Sequence, residues 1–207
     1  MTPARLDHLV VTAPTLAEGT AYVQAQLGVA LQPGGRHARM GTHNCLLKLG
    51  PTTYLEVIAV DPGAAAPELP RWFGLDRREA PRLATWVART GDIQAAAAGF
   101  PGYGRIEPMD RGALRWAITL PEQGGMPFDG IGPSLIQWQA EPHPDAALPE
   151  SGCTLIGLEG WHAQAGAVEE LLQTIGFENE FSVAIHHGDS PGLAAHILTP
   201  AGMRTLG

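Results

Sequence analysis

The stretch LDHLVVTA, residues 6–13, places two ionisable side chains, Asp7 and His8, inside an otherwise apolar run. The run has the length and composition of a buried strand, and the alternation of side chains along a strand predicts that the two point to opposite faces. Burying an imidazole without a partner costs free energy. The sequence therefore predicts that His8 either has a hydrogen-bond partner or binds something.

The composition is that of a globular, acidic protein. The chain has 207 residues, 44% of them apolar and 16% charged, with a formal net charge of −8. Without a basic cluster, neither nucleic acid nor an anionic membrane surface is expected as a partner. The two cysteines are too few for a disulfide scaffold. Neither an apolar leader nor a run long enough to span a membrane is evident, so a cytoplasmic location is expected.

A strand, helix and strand pattern starts three times along the chain. After the first strand, Thr15 and Glu18 form a capping box for a helix that ends at Gly28, and strands follow up to about residue 61. The pattern restarts near residues 83 and 154, after two Pro-rich connectors. We therefore predict an α+β protein with βαβββ modules at 1–62 and 83–140. A truncated third βαββ unit is predicted at 153–207, ending in a hairpin.

A second ionisable residue within an apolar strand is Glu56, in YLEVIAV at residues 54–60. If this strand and the first are neighbours in a sheet, His8 and Glu56 can meet on one face. Such a pair is either two ligands of a divalent metal or a simple ion pair. The simpler interpretation of His8 is a core histidine that is hydrogen-bonded to Glu56 or to a backbone carbonyl. For Glu56, it is a buried carboxylate that pairs with His8, Arg36 or Arg39.

These features resemble the vicinal oxygen chelate superfamily, and LDHLVV, GGRHARMGTHN and YLEVIAV look closest to its glyoxalase-like members. The superfamily also includes bleomycin-resistance proteins and extradiol dioxygenases. The resemblance is best over residues 5–61 and rests on pattern alone over 83–140. It implies paired modules whose mixed sheets curl around a cleft, in which a metal binds vicinal oxygens of the substrate.

The resemblance implies a set of metal ligands that the second module does not fully supply. His8 and Glu56 match the ligands of the first module, and Gln137 stands where a second glutamate is expected. Trp86 stands where a second histidine is expected and cannot be a ligand. The implied cofactor is a divalent Fe, Mn, Ni or Zn ion, with Gln137 or His37 completing the site.

The polar stretch at residues 35–44 is predicted to line the same cleft. Glu56 and His37 are the candidate catalytic residues. The candidate substrate-binding residues are Arg39, His43, Asn44, Trp86 and Trp138.

Three functions stay open from the sequence. The first is an enzyme of the lyase, isomerase or dioxygenase class that acts on a small carbonyl, carboxylate or diol compound. The second is a metal-free binding protein of the bleomycin-resistance type, which Trp86 in place of histidine favours. The third is a structural or interaction module with a filled cleft. The superfamily often dimerises, which leaves a homodimer open. His186, His187 and His196 are interpreted as surface histidines.

Overall fold

The computed structural model describes residues 3–139, 143–179 and 181–207. The first two modules consist of the following elements: β1 Arg5–Thr12, α1 Leu16–Leu27, β2 Gln32–His37, β3 Thr42–Lys48, β4 Tyr54–Val60, β5 Arg82–Arg89, α2 Ile93–Ala97, β6 Arg105–Arg111, β7 Leu114–Leu120 and β8 Ser134–Trp138. The third unit consists of β9 Thr154–His162, α3 Ala165–Thr174, β10 Ser182–His187, β11 Gly192–Thr199 and β12 Gly202–Leu206.

The first two modules share one mixed eight-stranded sheet, in the order β2-β3-β4-β1-β5-β8-β7-β6. In each module the first strand pairs in parallel with the last, and β1 and β5 pair antiparallel where the modules meet. The predicted α+β fold with paired βαβββ modules is confirmed. The sheet curls around a cleft, and a buried apolar cluster that includes Val10, Ile58 and Val87 lies on the cleft face.

The third unit forms a separate four-stranded sheet, in the order β10-β9-β11-β12. The prediction of a truncated unit was wrong, because three strands rather than two follow its helix. The predicted hairpin of β10 and β11 was also wrong, because each of these strands pairs with β9 instead of with the other. The strand order therefore differs from that of the first two modules, although the element count is the same.

Local signals fixed the ends of α1 as the sequence indicated. The Thr15 hydroxyl accepts a hydrogen bond from the Glu18 backbone N–H at 3.2 Å and donates to the Glu18 carboxylate at 2.8 Å. Gly28 ends the helix in the left-handed conformation, with φ of 71°, where a residue without a Cβ has no steric penalty. These two features set where the helix begins and ends. None of the helices in the part of the chain that the structure describes is long and apolar enough to cross a membrane.

A β-bulge in β1 determines which side chains contact His8. The pairing with β5 shifts between Leu6, which faces Ala88, and His8, which faces Val87, so that Asp7 is an extra residue in a β-bulge. A bulge turns its additional side chain away from regular alternation. The prediction that Asp7 points away from His8 was therefore wrong: the two side chains are in direct contact, with 2.7 Å between His8 Nδ1 and Asp7 Oδ1.

Candidate functional site

His8 and Glu56 meet on the wall of a cavity in the cleft of the eight-stranded sheet. Val10 lies beside Glu56 in the register of β1 and β4, and His8 lies beside Tyr54, so His8 and Glu56 are diagonal neighbours on one face. Their Nε2 and Oε2 atoms are 3.6 Å apart. That separation exceeds a normal hydrogen bond. Both atoms are therefore available to a ligand in the cavity.

The His8 ring is held from two other sides. Its Nδ1 donates to Asp7 Oδ1, and the ring stacks on Tyr54 with 4.7 Å between ring centroids and 15° between ring planes. Burial raises the pKa of Tyr54 well above its usual value, so the neighbouring phenol stays protonated. With Nδ1 committed to Asp7, the exchangeable position of the imidazole is Nε2, on the cavity side.

Asp7 is fully buried and joins His8 to a second histidine. Its Oδ2 accepts hydrogen bonds from His143 Nε2 at 2.8 Å and from the Trp138 indole at 3.0 Å. His143 Nδ1 in turn donates to Asp145 Oδ1 at 2.6 Å. Carboxylates and imidazoles therefore alternate in a chain that starts at the cavity and ends in the connector after β8.

The charged forms of these hydrogen-bonded side chains stabilise one another. Burial alone would raise the pKa of the Asp7 carboxyl, but the hydrogen bonds and charges of His143 and His8 together hold it well below its usual value. Burial likewise opposes protonation of His143, yet its bonds to Asp7 and Asp145 outweigh that effect and raise its pKa. Asp7 is therefore an anion at neutral pH that fixes the orientation of two imidazoles.

Replacing His143 with glutamine is expected to reduce stability in a pH-dependent way. Because the pKa of His143 is raised in the folded state, its contribution is fully present below the ordinary histidine value and is lost as the pH rises through the folded value. The difference in unfolding free energy between wild type and H143Q should be about 1 kcal/mol near pH 6 and smaller near pH 9. Urea unfolding at both pH values measures it.

The matched control is H187Q, since His187 is exposed on the second sheet. Its difference from wild type should be the same at both pH values. A difference for H143Q that stays constant or grows from pH 6 to pH 9 would contradict the assignment of a raised pKa to His143.

A guanidinium enters the cavity from the second module. Arg111 Nη1, at the end of β6, donates to His37 Nε2 at 3.2 Å and lies 3.5 Å from Asn44 Oδ1. Since arginine can only donate, the proton of neutral His37 lies on Nδ1, which faces the Thr42 hydroxyl at 3.1 Å. Burial, with the nearby Arg111 charge adding to its effect, lowers the pKa of His37 to about 4. His37 is therefore neutral at pH 7, and its cavity-side nitrogen is already occupied.

Asn44 connects the two charged groups. Its Nδ2 donates to Glu56 Oε1 at 2.5 Å, while its Oδ1 accepts from the Gly35 backbone N–H at 2.7 Å. Asn44 thus lines the cavity, but its polar atoms hold Glu56 and Arg111 in place. Glu56 Oε2 accepts no hydrogen bond from the residues that the structure describes and lies 3.6 Å from His8 Nε2.

The connector after β4 contributes two buried aromatic side chains, Trp72 and Phe73, to the wall of the cavity. Phe73 has a φ of 57°, which is a strained backbone conformation for a residue with a bulky side chain. The indole N–H of Trp72 is buried and has no hydrogen-bond partner among the residues that the structure describes. The free space inside is about 30 Å³, which accommodates little more than water. A substrate larger than water therefore needs more space than this cavity provides.

Two predicted site residues of the second module lie on the opposite face of the sheet. Trp86 is fully buried there and donates its indole N–H to the Ile131 carbonyl at 2.8 Å. Gln137 accepts from the Ile93 backbone N–H and donates to the Gly91 carbonyl, at the start of α2. The predictions of cleft contacts for both were wrong. Because His8 pairs with Val87, the residue of β5 on the cleft face is Val87 and not Trp86, one position away from the predicted alignment of β5 with β1. Trp138 does line the cavity.

Two candidates from the stretch 35–44 also lie outside the cavity. Arg39 pairs with Glu107 of the second module, with 2.5 Å between Nη2 and Oε2, and remains partly exposed. His43 follows the alternation of β3 and points away from the face that carries Asn44. The prediction that Arg39 and His43 line the cleft was therefore wrong. Arg111 supplies the cationic group instead.

Two histidines of the third unit that are at least partly exposed form a separate cluster. His186 and His196 lie 3.9 Å and 3.2 Å from Glu159 on the second sheet, far along the chain from the cavity residues. They do not line the cavity.

The donor set at the cavity does not fit a resident divalent metal. His8 and Glu56 supply two ligands, whereas structural and catalytic sites of this kind use three or four protein groups. His37 is bonded to Arg111, and the cleft face of the second module carries Val87 and Ile136 beside the pair. Among the described residues, no three His, Cys, Asp or Glu side chains are placed to hold one ion.

Sequence reasoning missed three residues of the site. Asp7 could have been suspected, because a carboxylate within an apolar strand needs a partner as much as His8 does. Arg111 and His143 carry no such signal, since one ends an edge strand and the other lies in a Pro-rich connector. Their roles follow only from contacts with residues that are more than 65 positions away in the sequence.

Comparisons with known proteins found similarity in sequence and in structure. The family model described as a glyoxalase-like domain matches residues 6–176. A comparison with curated proteins gave no match. A hypothetical protein from Staphylococcus aureus is similar in structure, with a TM-score of 0.61, 14% identity, and coverage of 91% of this chain and 87% of that one. Methylmalonyl-CoA epimerase from Streptomyces coelicolor has a TM-score of 0.44 and 18% identity, with 69% and 100% of the two chains covered. The epimerase from Mycobacterium tuberculosis has a TM-score of 0.41 and 19% identity, over 69% and 91%.

Proposed function

Because the chain belongs to the family of glyoxalase-like domain proteins, we propose that it is an enzyme of this fold that moves a proton on a small oxygenated metabolite. The membership confirms the resemblance seen in LDHLVV and YLEVIAV. The proposed reaction class is isomerase or lyase chemistry at a carbon next to a carbonyl or carboxylate. The observation that carries the proposal is the His8 imidazole, fixed by buried Asp7 and presenting Nε2 to the cavity.

His8 is the proposed general base. Imidazole is the side-chain base best suited to neutral pH, and a carboxylate on its far nitrogen fixes the tautomer and stabilises the imidazolium that forms. Asp7 supplies that carboxylate from the bulge. Glu56, 3.6 Å from Nε2, adds a second negative charge beside the same imidazolium. The proton leaves the substrate carbon and is held at Nε2 until it is returned.

Arg111 is the proposed partner of the substrate oxygen. Loss of a proton next to a carbonyl leaves negative charge on that oxygen, and a guanidinium in a largely buried cavity stabilises such charge. Arg111 is held there by His37 and Asn44. The indole N–H of Trp72, which is buried without a partner among the described residues, is a further donor for a substrate oxygen.

The test is hydrogen exchange in D2O followed by proton NMR. Wild-type protein is mixed with a panel of small 2-oxo acids, 2-hydroxy ketones and malonate half-esters, and loss of the signal next to the carbonyl is measured. Exchange above the buffer rate for at least one class is expected. Saturable binding without exchange of any member would contradict the enzyme and support the binding protein.

Removing metal is expected to leave the exchange rate unchanged. Since His8 and Glu56 are the two uncommitted metal-binding side chains in the described lining of the cavity, protein purified without a His-tag should retain less than about 0.1 equivalent of Fe, Mn, Ni or Zn. Dialysis against EDTA should not lower the rate. The same metal analysis on H196Q shows how much of any bound metal is held by the cluster of His186, His196 and Glu159 rather than by the cavity. One equivalent of metal in both proteins, with loss of exchange after EDTA, would contradict a metal-independent site.

A metal-free binding protein is the second candidate. It is favoured by the aromatic lining, because Trp72, Trp116 and Trp138 all line the cavity and indoles offer broad surfaces for stacking. Such a protein would keep its ligand affinity when His8 is replaced. An enzyme would lose turnover.

A further inference from the structure

Strand β2 contains a β-bulge that is made of two adjacent glycines, Gly34 and Gly35. Its pairing with β3 shifts between Pro33 and Arg36, so that the two glycines lie opposite one residue, Asn44. A bulge leaves one residue outside the regular pairing of the sheet. The Gly35 backbone N–H donates instead to Oδ1 of the Asn44 side chain, at 2.7 Å. The bulge therefore holds a polar side chain that lines the cavity.

Gly35 also lies against the Arg111 side chain, which comes from the opposite edge of the sheet. β2 and β6 are the two edge strands of the eight-stranded sheet, and the curl of the sheet brings them into contact. A Cβ atom at residue 35 would lie 2.7 Å from Arg111 Cδ and 3.0 Å from Arg111 Nη1. Non-bonded carbon atoms prefer a separation of about 3.5–4.0 Å. A side chain at residue 35 and Arg111 in its present place therefore exclude each other.

Gly34 makes space for Asn44 in a different way. A Cβ atom at residue 34 would overlap the Asn44 amide oxygen and would lie 2.9 Å from the Asn44 backbone oxygen. Relief there would require the two strands to separate. At residue 35 the three nearest atoms all belong to the Arg111 side chain, which can move while the strands stay paired. A methyl group at residue 35 is therefore expected to displace Arg111 and to leave the fold intact.

We propose that Gly35 is a positioning residue, whose lack of a side chain leaves the space in which Arg111 extends to His37 and Asn44. Arg111 Nη1 lies 3.2 Å from His37 Nε2 and 3.5 Å from Asn44 Oδ1. Gly35 thus orients one partner of the guanidinium through its N–H and makes room for the guanidinium itself. Its effect on catalysis rests on the proposed role of Arg111 at the substrate oxygen. Its effect on the location of Arg111 does not.

The location of Arg111 is tested with Gly35→Ala and the nitrogen NMR signal of His37 Nε2 at pH 7. Because Arg111 donates to this nitrogen, its displacement should shift the signal to the position found in Arg111→Ala. Gly125→Ala is the matched control, since a Cβ atom at residue 125 meets no atom within 4 Å. Its signal should equal that of wild type. A wild-type signal in G35A would overturn the proposal.

Proton exchange in D2O provides a second readout. R111A should lower the rate at saturating substrate by about 100-fold, the effect of removing one donor from a developing oxyanion, and G35A should lower it by a similar factor. In the R111A background, G35A should change the rate by less than about twofold, because the side chain through which Gly35 acts is absent. A full further loss in that background would overturn the proposal. If no compound of the panel exchanges with wild type, the proposed function fails, and the His37 signal still decides the role of Gly35.

Folding of the variants gives the last distinction. G35A and G125A should melt within a few degrees of wild type, because the Arg111 side chain moves and the strands do not. If G35A does not fold, the double variant G35A/R111A decides. Recovery of the fold in the double variant would support the contact with Arg111. Failure of both proteins to fold would overturn the proposal, because the requirement for glycine would then lie in the backbone.

Discussion

Replacing His8 with glutamine is expected to lower the rate of proton exchange by about 10³-fold, within the range that general base catalysis supplies. Glutamine retains a polar group of similar reach beside Asp7 but cannot take up a proton. His8 Nε2 is the cavity-side atom that does so, because Nδ1 is bonded to Asp7. The measurement is the exchange rate in D2O for the best member of the carbonyl panel, at saturating concentration.

H196Q is the matched control for this substitution. It makes the same change at a histidine of the second sheet that contacts Glu159 and Thr205 rather than the cavity. Its exchange rate should equal that of wild type. Ligand binding by H8Q within a few-fold of wild type would show that the cavity still forms. An H8Q protein that binds the ligand and exchanges at the wild-type rate would rule out His8 as the base.

Asp7→Asn is expected to lower the free energy of unfolding by about 3 kcal/mol at pH 7, as does removal of one partner from a buried ion pair. Asp7 is 0% exposed and accepts from His8, His143 and Trp138. Asparagine has one acceptor oxygen in place of two and directs an amide toward donors. Urea unfolding followed by circular dichroism measures the change.

The pH dependence separates the charge of Asp7 from its shape. The pKa of Asp7 is held well below its usual value in the folded state, so its stabilisation is present above the ordinary aspartate value and is lost as the pH falls. The difference between wild type and D7N should therefore shrink below about pH 4. D110N, at an exposed carboxylate of β6, should stay within about 0.5 kcal/mol of wild type. A D7N protein as stable as wild type at pH 7 would contradict the network.

Local patterns in the sequence predicted much of the fold. The capping box at Thr15 and the glycine at residue 28 set the ends of α1, and strand alternation placed His8 and Glu56 on one face. These predictions succeeded because they depend on neighbours within a few residues or on strict period-two alternation. The alignment of the second module failed because its identity to the first is low, and a shift of one residue moves every side chain to the other face.

The sequence by itself indicated two paired βαβββ modules around a cleft, and it placed His8 and Glu56 where they could meet on one face. The single sheet that the modules share was shown only by the tertiary structure. Only the tertiary structure decided what surrounds them. A bulge turns Asp7 toward His8. The cation in the cavity is Arg111 rather than the predicted Arg39, and His143 of a connector binds Asp7. Bulges and long-range contacts depend on how distant strands pack, and no local period encodes that packing. The chemistry of LDHLVVTA therefore follows from its neighbours in space.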